Sequence, residues 1–262
     1  MNKLWDQILL SSNQDDSPLW ELFHVNSRCS EHVLPSNFLH KKDLLLEPRF
    51  LDYINFPAIL LPKINHDLNM PLTDAIKNRI SEYNMTPDAI TLEEIATLFS
   101  YGYAVKRSST GNQSITRYTP SAGALYPIEI YFHYSPSLTN DLSISPGLYY
   151  YNPLKYELRL LINKNCHAEI KNIFMQSDLV KKSAIQIFIT SIFHRITQKY
   201  GDRGYKFAFL EAGHIAQNFN LVATAMELSC INIGGYYERK ANELLKIDGI
   251  SHSTIYTILI GK

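Results

Sequence analysis

The chain has 262 residues, 45% of them hydrophobic, enough to bury one substantial core, and the length allows either one domain or a core with an accessory piece. Its 25 basic and 25 acidic residues cancel, so no net field attracts nucleic acid or an anionic membrane surface. No uncharged apolar run approaches the roughly 20 residues of a membrane span, the amino terminus lacks a secretory pattern, and Cys29, Cys166 and Cys230 lie far apart without a C-x-x-C; the expectation is a cytoplasmic protein with no disulfide framework and no metal site.

Residues 1–70 show short helical patterns broken by Pro18, Pro35, Pro48, Pro57 and Pro62, with Pro71 at their end. Asp15, Asp16 and Ser17 before Pro18 are helix-start residues, and Trp20, Leu22 and Phe23 follow as an apolar stripe. This is read as an N-terminal accessory segment, with a second domain over 71–262. Thr91, with Glu94 three residues on, caps an amphipathic helix through Phe99, and a Ser/Thr/Gly-rich loop runs from Ser108 to Thr116. Pro127 opens an alternating strand, Ile128 to His133. Gly147 to Tyr151 and Tyr156 to Leu161 flank Asn152-Pro153-Leu154-Lys155 as a hairpin, and Ala184 to Phe193 has the continuous apolar character of a strand inside a covered sheet. Many of the 17 tyrosines fall in these segments, where aromatic side chains pack well on a pleated surface.

The longest element starts at Asp202 and runs to about Leu228. From Ala212 through Met226 it has no Asp, Glu, Lys or Arg, so both faces need cover, as the centre of a three-layer sandwich or as a subunit seam. Asn220→Arg or Val222→Arg would test a seam. Two strands, Cys230 to Ile233 and Thr254 to Ile260, close the chain, with Cys230 as core.

Four places are candidate sites. Arg117-Tyr-Thr-Pro120-Ser121-Ala122-Gly123-Ala-Leu-Tyr-Pro127 sets small residues before a strand, where backbone can approach a flat ligand; an ordinary tight turn has the same pattern. Gly234-Gly235 is either a similar device or a plain turn. His214, Gln217, Asn218 and Leu221 share one side of the long helix, as site residues, a satisfied core network or a seam. Lys199-Tyr200, between a buried strand and that helix, is a candidate proton-handling pair or a solvated loop, and Arg203 and Lys206 at a helix start point to an anionic neighbour. No G-x-G-x-x-G, phosphate loop, H-E-x-x-H or G-x-S-x-G is present, so redox or group-transfer chemistry would come from a bound cofactor.

Taken together, Arg117-x-x-Pro-Ser-Ala-Gly-Ala-Leu-Tyr-Pro127, Pro146-Gly147-Leu148-Tyr149-x-Tyr151, Lys199-Tyr200-x-x-Arg203-x-Tyr205 and Glu211-Ala-Gly-His214-x-x-Gln217-Asn218 resemble the SagB/ThcOx-type dehydrogenases over about Pro71 to Lys262. The resemblance implies an α+β, nitroreductase-like three-layer α/β/α sandwich with a mixed sheet and a long central helix, dimeric, with FMN at the subunit interface. It further implies oxidation of thiazolines and oxazolines to thiazoles and oxazoles in a precursor peptide, in a complex with a cyclodehydratase. Pro120, Ser121, Ala122 and Gly123 would face the flavin ring, with Gln217 and Asn218 nearby and Gly234-Gly235 on the other side, and Lys199 and Tyr200 match the catalytic pair. The basic phosphate-binding start of related enzymes appears only as Lys77-Asn78-Arg79-Ile80-Ser81, and the chain stops at Gly261-Lys262 without a basic tail. Lys77, Arg79, Arg117 and Arg203 are the cations on offer for the phosphate.

Two rival readings are an NAD(P)H-dependent nitroreductase-like flavoenzyme, whose flavin NAD(P)H would bleach, and a catalytically degenerate subunit that binds peptide or partner enzymes and takes up no FMN.

Overall fold

The apolar runs assemble into one seven-stranded sheet in the computed structural model, which describes residues 19–28, 50–64, 68–106, 116–136 and 144–262. Its strands are β1 (Ala58–Leu60), β4 (Ile128–Tyr134), β5 (Gly147–Asn152), β6 (Glu157–Ile162), β7 (Ile185–Ile192), β8 (Ser229–Ile233) and β9 (His252–Gly261), in the order β1-β6-β5-β4-β7-β9-β8. A short ribbon, β2 (Val105–Lys106) and β3 (Thr116–Arg117), stands apart. The helix-start residues Asp15 to Pro18, together with Cys29, Pro35, Pro48 and most of the Ser108 to Thr116 loop, lie outside the described residues.

Every strand pairing among the described residues is antiparallel, which corrects the expected mixed sheet. Side chains alternate with period two in both kinds of ladder, so the residue pattern reveals a strand but not its direction. The α+β class and the three layers stand. On one face, α3 (Leu92–Gly102) and α7 (Arg203–Ala225) pack on Ile128, Ile130 and Phe132 of β4 and Ile185, Ile187 and Ile189 of β7. On the other, α4 (His167–Lys171), α5 (Ser177–Lys182) and α8 (Glu238–Leu245) cover Tyr131, Tyr150 and Phe188.

Local chemistry explains the element ends. The Thr91 hydroxyl accepts the Glu94 N–H at 3.1 Å and the Glu94 carboxylate accepts the Thr91 N–H at 2.6 Å, the reciprocal cap that starts α3. Asn152 Oδ1 accepts the N–H groups of Leu154 and Lys155 and so turns β5 into β6. Tyr131, Tyr149, Tyr150 and Tyr151 are completely buried, and Phe132 stacks on its cross-strand partner Tyr149 with centroids 5.2 Å apart. His133, also buried, has Nδ1 2.6 Å from Gln186 Oε1 while Nε2 accepts the Cys166 N–H. Nδ1 therefore carries the proton, and burial lowers the His133 pKa to about 4.

The long helix departs from the sequence reading. Ala212, Ile215, Ala216, Phe219, Val222 and Ala223 face the sheet, but Gly213, His214 and Gln217 are exposed and Leu210 is 59% exposed. α7 thus lies in an outer layer, and among the described residues its face around Leu210, Gly213, His214 and Gln217 is left exposed. Asn220 and Val222 point inward, Asn220 Nδ2 donating to Ala216 O and Asn232 Oδ1, so neither is a seam residue. β1 pairs with β6, and Tyr53 Oη lies 2.8 Å from Tyr131 Oη, so the sheet draws on chain from both sides of Pro71. Farther back, α1 (Leu19–Asn26) sets Phe23 edge-on to Tyr205 of α7. Cys166 and Cys230 are buried free thiols, and among the described residues no helix is long and apolar enough to cross a membrane.

Candidate active site

The segment between β3 and β4 makes a short helical turn, Ala122–Ala124, in which Gly123, Ala124 and then Tyr126 take positive φ of 63°, 53° and 50°. Alanine and tyrosine enter that region at a cost, so surrounding bonds must hold them. Ser121 Oγ accepts the Tyr126 N–H at 2.9 Å, Ser121 O accepts the Ala124 N–H at 3.0 Å, and the Tyr126 hydroxyl accepts the Arg117 N–H at 3.0 Å.

Beneath this turn sits Arg117, 5% exposed, its guanidinium 4.4 Å from the Tyr103 ring centre, 4.9 Å from Tyr126 and 5.0 Å from Phe50. Its Nη1 donates to Ile128 O, and burial lowers its pKa. The side chain is thus turned into the core, where it packs under the turn among three aromatic rings. Arg203, another expected cation, lies 5.6 Å over the Phe207 ring.

A second buried guanidinium anchors the catalytic candidates. Arg195, near the start of α6 (His194–Tyr200), places Nη1 2.5 Å from Glu129 Oε1 on β4, and Glu129 Oε2 accepts from Tyr150 Oη at 2.7 Å. Both members of this pair are nearly inaccessible, which ties α6 to the sheet. About one turn on, Lys199 and Tyr200 are half-buried. Gly204 then lies so close to the Ile196 carbonyl that a Cβ there would meet it at 3.0 Å, which keeps the α6-to-α7 turn tight.

These parts converge at Gly123. A Cβ there would lie 2.8 Å from Tyr200 Oη and 2.9 Å from Lys199 Nζ, so the bare backbone of the turn faces the phenol and the amine. Pro120 and Gly123 are exposed above, which leaves a small-residue shelf suited to a planar ring. From the helix side, Asn218 Nδ2 donates to Thr119 Oγ1 and Gly102 O, each at 3.4 Å. Glu211 of α7, 2% exposed, lies by Ser121; neither carboxyl oxygen has a hydrogen bond of ordinary geometry among the described residues. Burial raises its pKa to about 7, against the smaller opposing pulls of Ser121, Arg117 and Arg195.

Other expected residues stay apart. Lys77 is exposed on α2 (Leu72–Asn78), Arg79 follows it near Cys230, and Gln217 faces out from α7. Gly235 accepts the Met175 N–H through its carbonyl and packs by Gln176. No hydrogen bond or ion pair among the described residues joins Lys77, Arg79, Gln217, Gly234 or Gly235 to the turn. Sequence reasoning missed Glu129 and Arg195, quoted Glu211 only inside a motif, and held Tyr126 as an alternative catalytic candidate. Its available signals were Glu129 inside an apolar strand, Arg195 just past one, and Glu211 at the edge of an uncharged stretch.

The sequence pattern of the nitroreductase family matches residues 76–262. The nitroreductase-type protein MJ1384 of Methanocaldococcus jannaschii is 29% identical over 189 residues, 72% of this chain and 89% of that protein. The microcin B17-processing protein McbC of Escherichia coli is 29% identical over 142 residues, 54% of this chain and 52% of McbC. Among solved structures, a nitroreductase-type protein of Anabaena variabilis superposes with a TM-score of 0.72 at 24% identity, over 92% of this chain and 45% of its own. The E. coli microcin synthetase McbBCD complex with truncated pro-MccB17 bound gives 0.62 at 21% identity, over 93% of this chain and 91% of that one. At such identities the superpositions establish the fold.

Proposed function

The chain belongs to the nitroreductase family, and from that premise we propose that this oxidoreductase is an FMN-dependent azoline dehydrogenase, converting thiazolines and oxazolines of a precursor peptide to thiazoles and oxazoles. The observation that carries the reading is the approach of Gly123 to Lys199 and Tyr200, which gathers a shelf for a planar ring and two proton-handling groups. The likeness to McbC, over about half of that protein, supports the peptide substrate.

Pro120, Ser121, Ala122, Gly123 and Asn218 would hold the flavin ring, with Gln217, Gly234 and Gly235 completing its surroundings and Lys77 and Arg79 serving its phosphate. Arg117 supports the turn from below. FMN, when bound, supplies a hydride acceptor. Lys199 and Tyr200 take the proton from the carbon α to the peptide carbonyl as the hydride leaves the neighbouring ring carbon, so the ring loses two hydrogens in all. Oxygen is the terminal oxidant in this reading.

The uncharged face of α7 around Leu210, Gly213, His214 and Gln217 is the proposed homodimer seam, since exposed apolar side chains, Phe209 and Leu210, stand beside it without a charge among them. The fold shared with the microcin synthetase complex supports a cyclodehydratase as partner.

The test is to purify the protein, release its ligand by heat, and supply a cyclodehydrated peptide with the partner enzymes. Released FMN and a loss of two hydrogens per ring by mass spectrometry are expected. A colourless protein that takes up no added FMN, or a flavoprotein that leaves the azolines intact, would sink the proposal.

A further inference from the structure

Resting on that flavin reading, we propose that Glu211 is a positioning residue for the flavin-facing turn: its buried carboxylate, acting through the Ser121 hydroxyl, fixes the turn from Ser121 to Tyr126 and ties FMN affinity to pH. Affinity is high where Glu211 is ionised and falls as it takes up a proton.

A group 2% exposed with neither oxygen conventionally hydrogen-bonded is costly to keep, and an amide or apolar side chain would fill the same place more cheaply. Next to it is Ser121, whose oxygen already accepts the N–H of Tyr126, the tyrosine held at φ 50°. That leaves the serine hydrogen to be donated. An ionised Glu211 is acceptor-only, so Tyr126 N–H, Ser121 O–H and the carboxylate line up in one direction, with the last link charge-assisted. A protonated Glu211 has a hydrogen of its own to place and loses the charge, which loosens the serine.

Charged groups on each neighbouring element act on this equilibrium. Arg117 on β3 and Arg195 on α6 favour the carboxylate. Glu129 on β4 is engaged by Arg195 and by Tyr150 of β5, and it acts on Arg117 as Glu211 does. Burial opposes the two arginines and outweighs them, so the change of charge falls near neutrality.

A carboxyl of this kind leaves a signature that an ordinary structural one does not. The folded chain holds the proton over a pH range where the unfolded chain has lost it, so Glu211 lowers stability as pH rises through about 7. Glu211→Gln should therefore melt higher than wild type at pH 8 and about level with it at pH 5. At pH 8 the same variant should bind FMN more weakly.

The experiment titrates FMN into the full-length apoprotein, following flavin fluorescence from pH 6.5 to 8.5, with melting curves alongside. For wild type the dissociation constant should rise as pH falls, approaching tenfold per pH unit for one linked proton. Glu211→Gln should remove this dependence. Ser121→Ala should remove it too while leaving Glu211 to titrate in the melting curves, and it keeps the test decisive if Glu211→Gln folds poorly. Wild-type affinity and pH dependence in both variants would overturn the proposal, as would a Glu211→Gln protein that melts lower at pH 8. Failure of wild type to bind FMN at any pH would overturn the flavin reading itself, while the melting curves still show whether Glu211 titrates.

Discussion

Replacing Gly123 with alanine separates the backbone of the turn from the chemistry it faces. At φ 63° an alanine pays the left-handed penalty, about 1–2 kcal/mol, and regains roughly 0.4–1 kcal/mol from a less flexible unfolded chain. The net loss is about 1 kcal/mol, or some 2–4 °C in melting temperature for a domain of this size. The new methyl lands 2.8 Å from Tyr200 Oη and 2.9 Å from Lys199 Nζ, the far ends of flexible side chains, so these ends move and the fold does not. A shift near 1 Å in reacting groups costs up to about 10²-fold in rate. A small drop in melting temperature with a large drop in azoline oxidation is therefore expected, by scanning fluorimetry and mass spectrometry. A variant with the same drop in melting temperature and unchanged turnover would refute the reasoning, because the crowded pair would then not be the working one.

Arg195→Met should destabilise the protein by about 3–5 kcal/mol in urea titrations, since it leaves Glu129 buried without its cation, and adding Glu129→Gln should recover part of the loss. His133 has a folded pKa near 4 against 6.5 unfolded, so the folded chain binds fewer protons in between; its stability, about 3 kcal/mol, is full above pH 6.5 and lost as pH falls through 4. His252, lowered to about 4 by burial and by Arg195, adds to the same acid limb, so His133→Asn should flatten it only in part by pH-dependent melting. Leu210→Arg, at an exposed position of the single chain, should leave the fold intact and convert a dimer to monomer in light scattering. A Leu210→Arg dimer that keeps its flavin would remove this face from the seam.

Where one residue's type decided its structure, the sequence was readable. Thr91 and Glu94 form the reciprocal cap their spacing implies, the Ile128 to His133 alternation is a strand, and the tyrosines of β4 and β5 are buried, Tyr131 and Tyr150 as cross-strand partners. Strand direction was not readable, and neither was the cover on α7, because an uncharged stretch says that both faces avoid water without saying which lies against the same chain. At the site, the small-residue segment drew attention by composition and Lys199-Tyr200 by its place before the long helix and by the family resemblance, and the fold brings them together. Arg117 was one of four cations on offer for a phosphate, and the sequence could not show that three aromatic rings enclose it, because Phe50 and Tyr103 meet it only in the fold. The Glu129–Arg195 pair spans 66 positions and exists only once β4 and α6 meet.

In the proposed reaction Lys199 and Tyr200 move the proton while the turn around Gly123 holds the flavin. The direct measurement is azoline oxidation by flavin-loaded Lys199→Ala, Tyr200→Phe and the double variant, with the flavin spectrum recorded for each. Each single variant should keep the wild-type spectrum and lose about 10²–10⁴ in rate, and the double variant should lose little more, since both groups serve one transfer. Near-normal oxidation by both single variants would contradict the account.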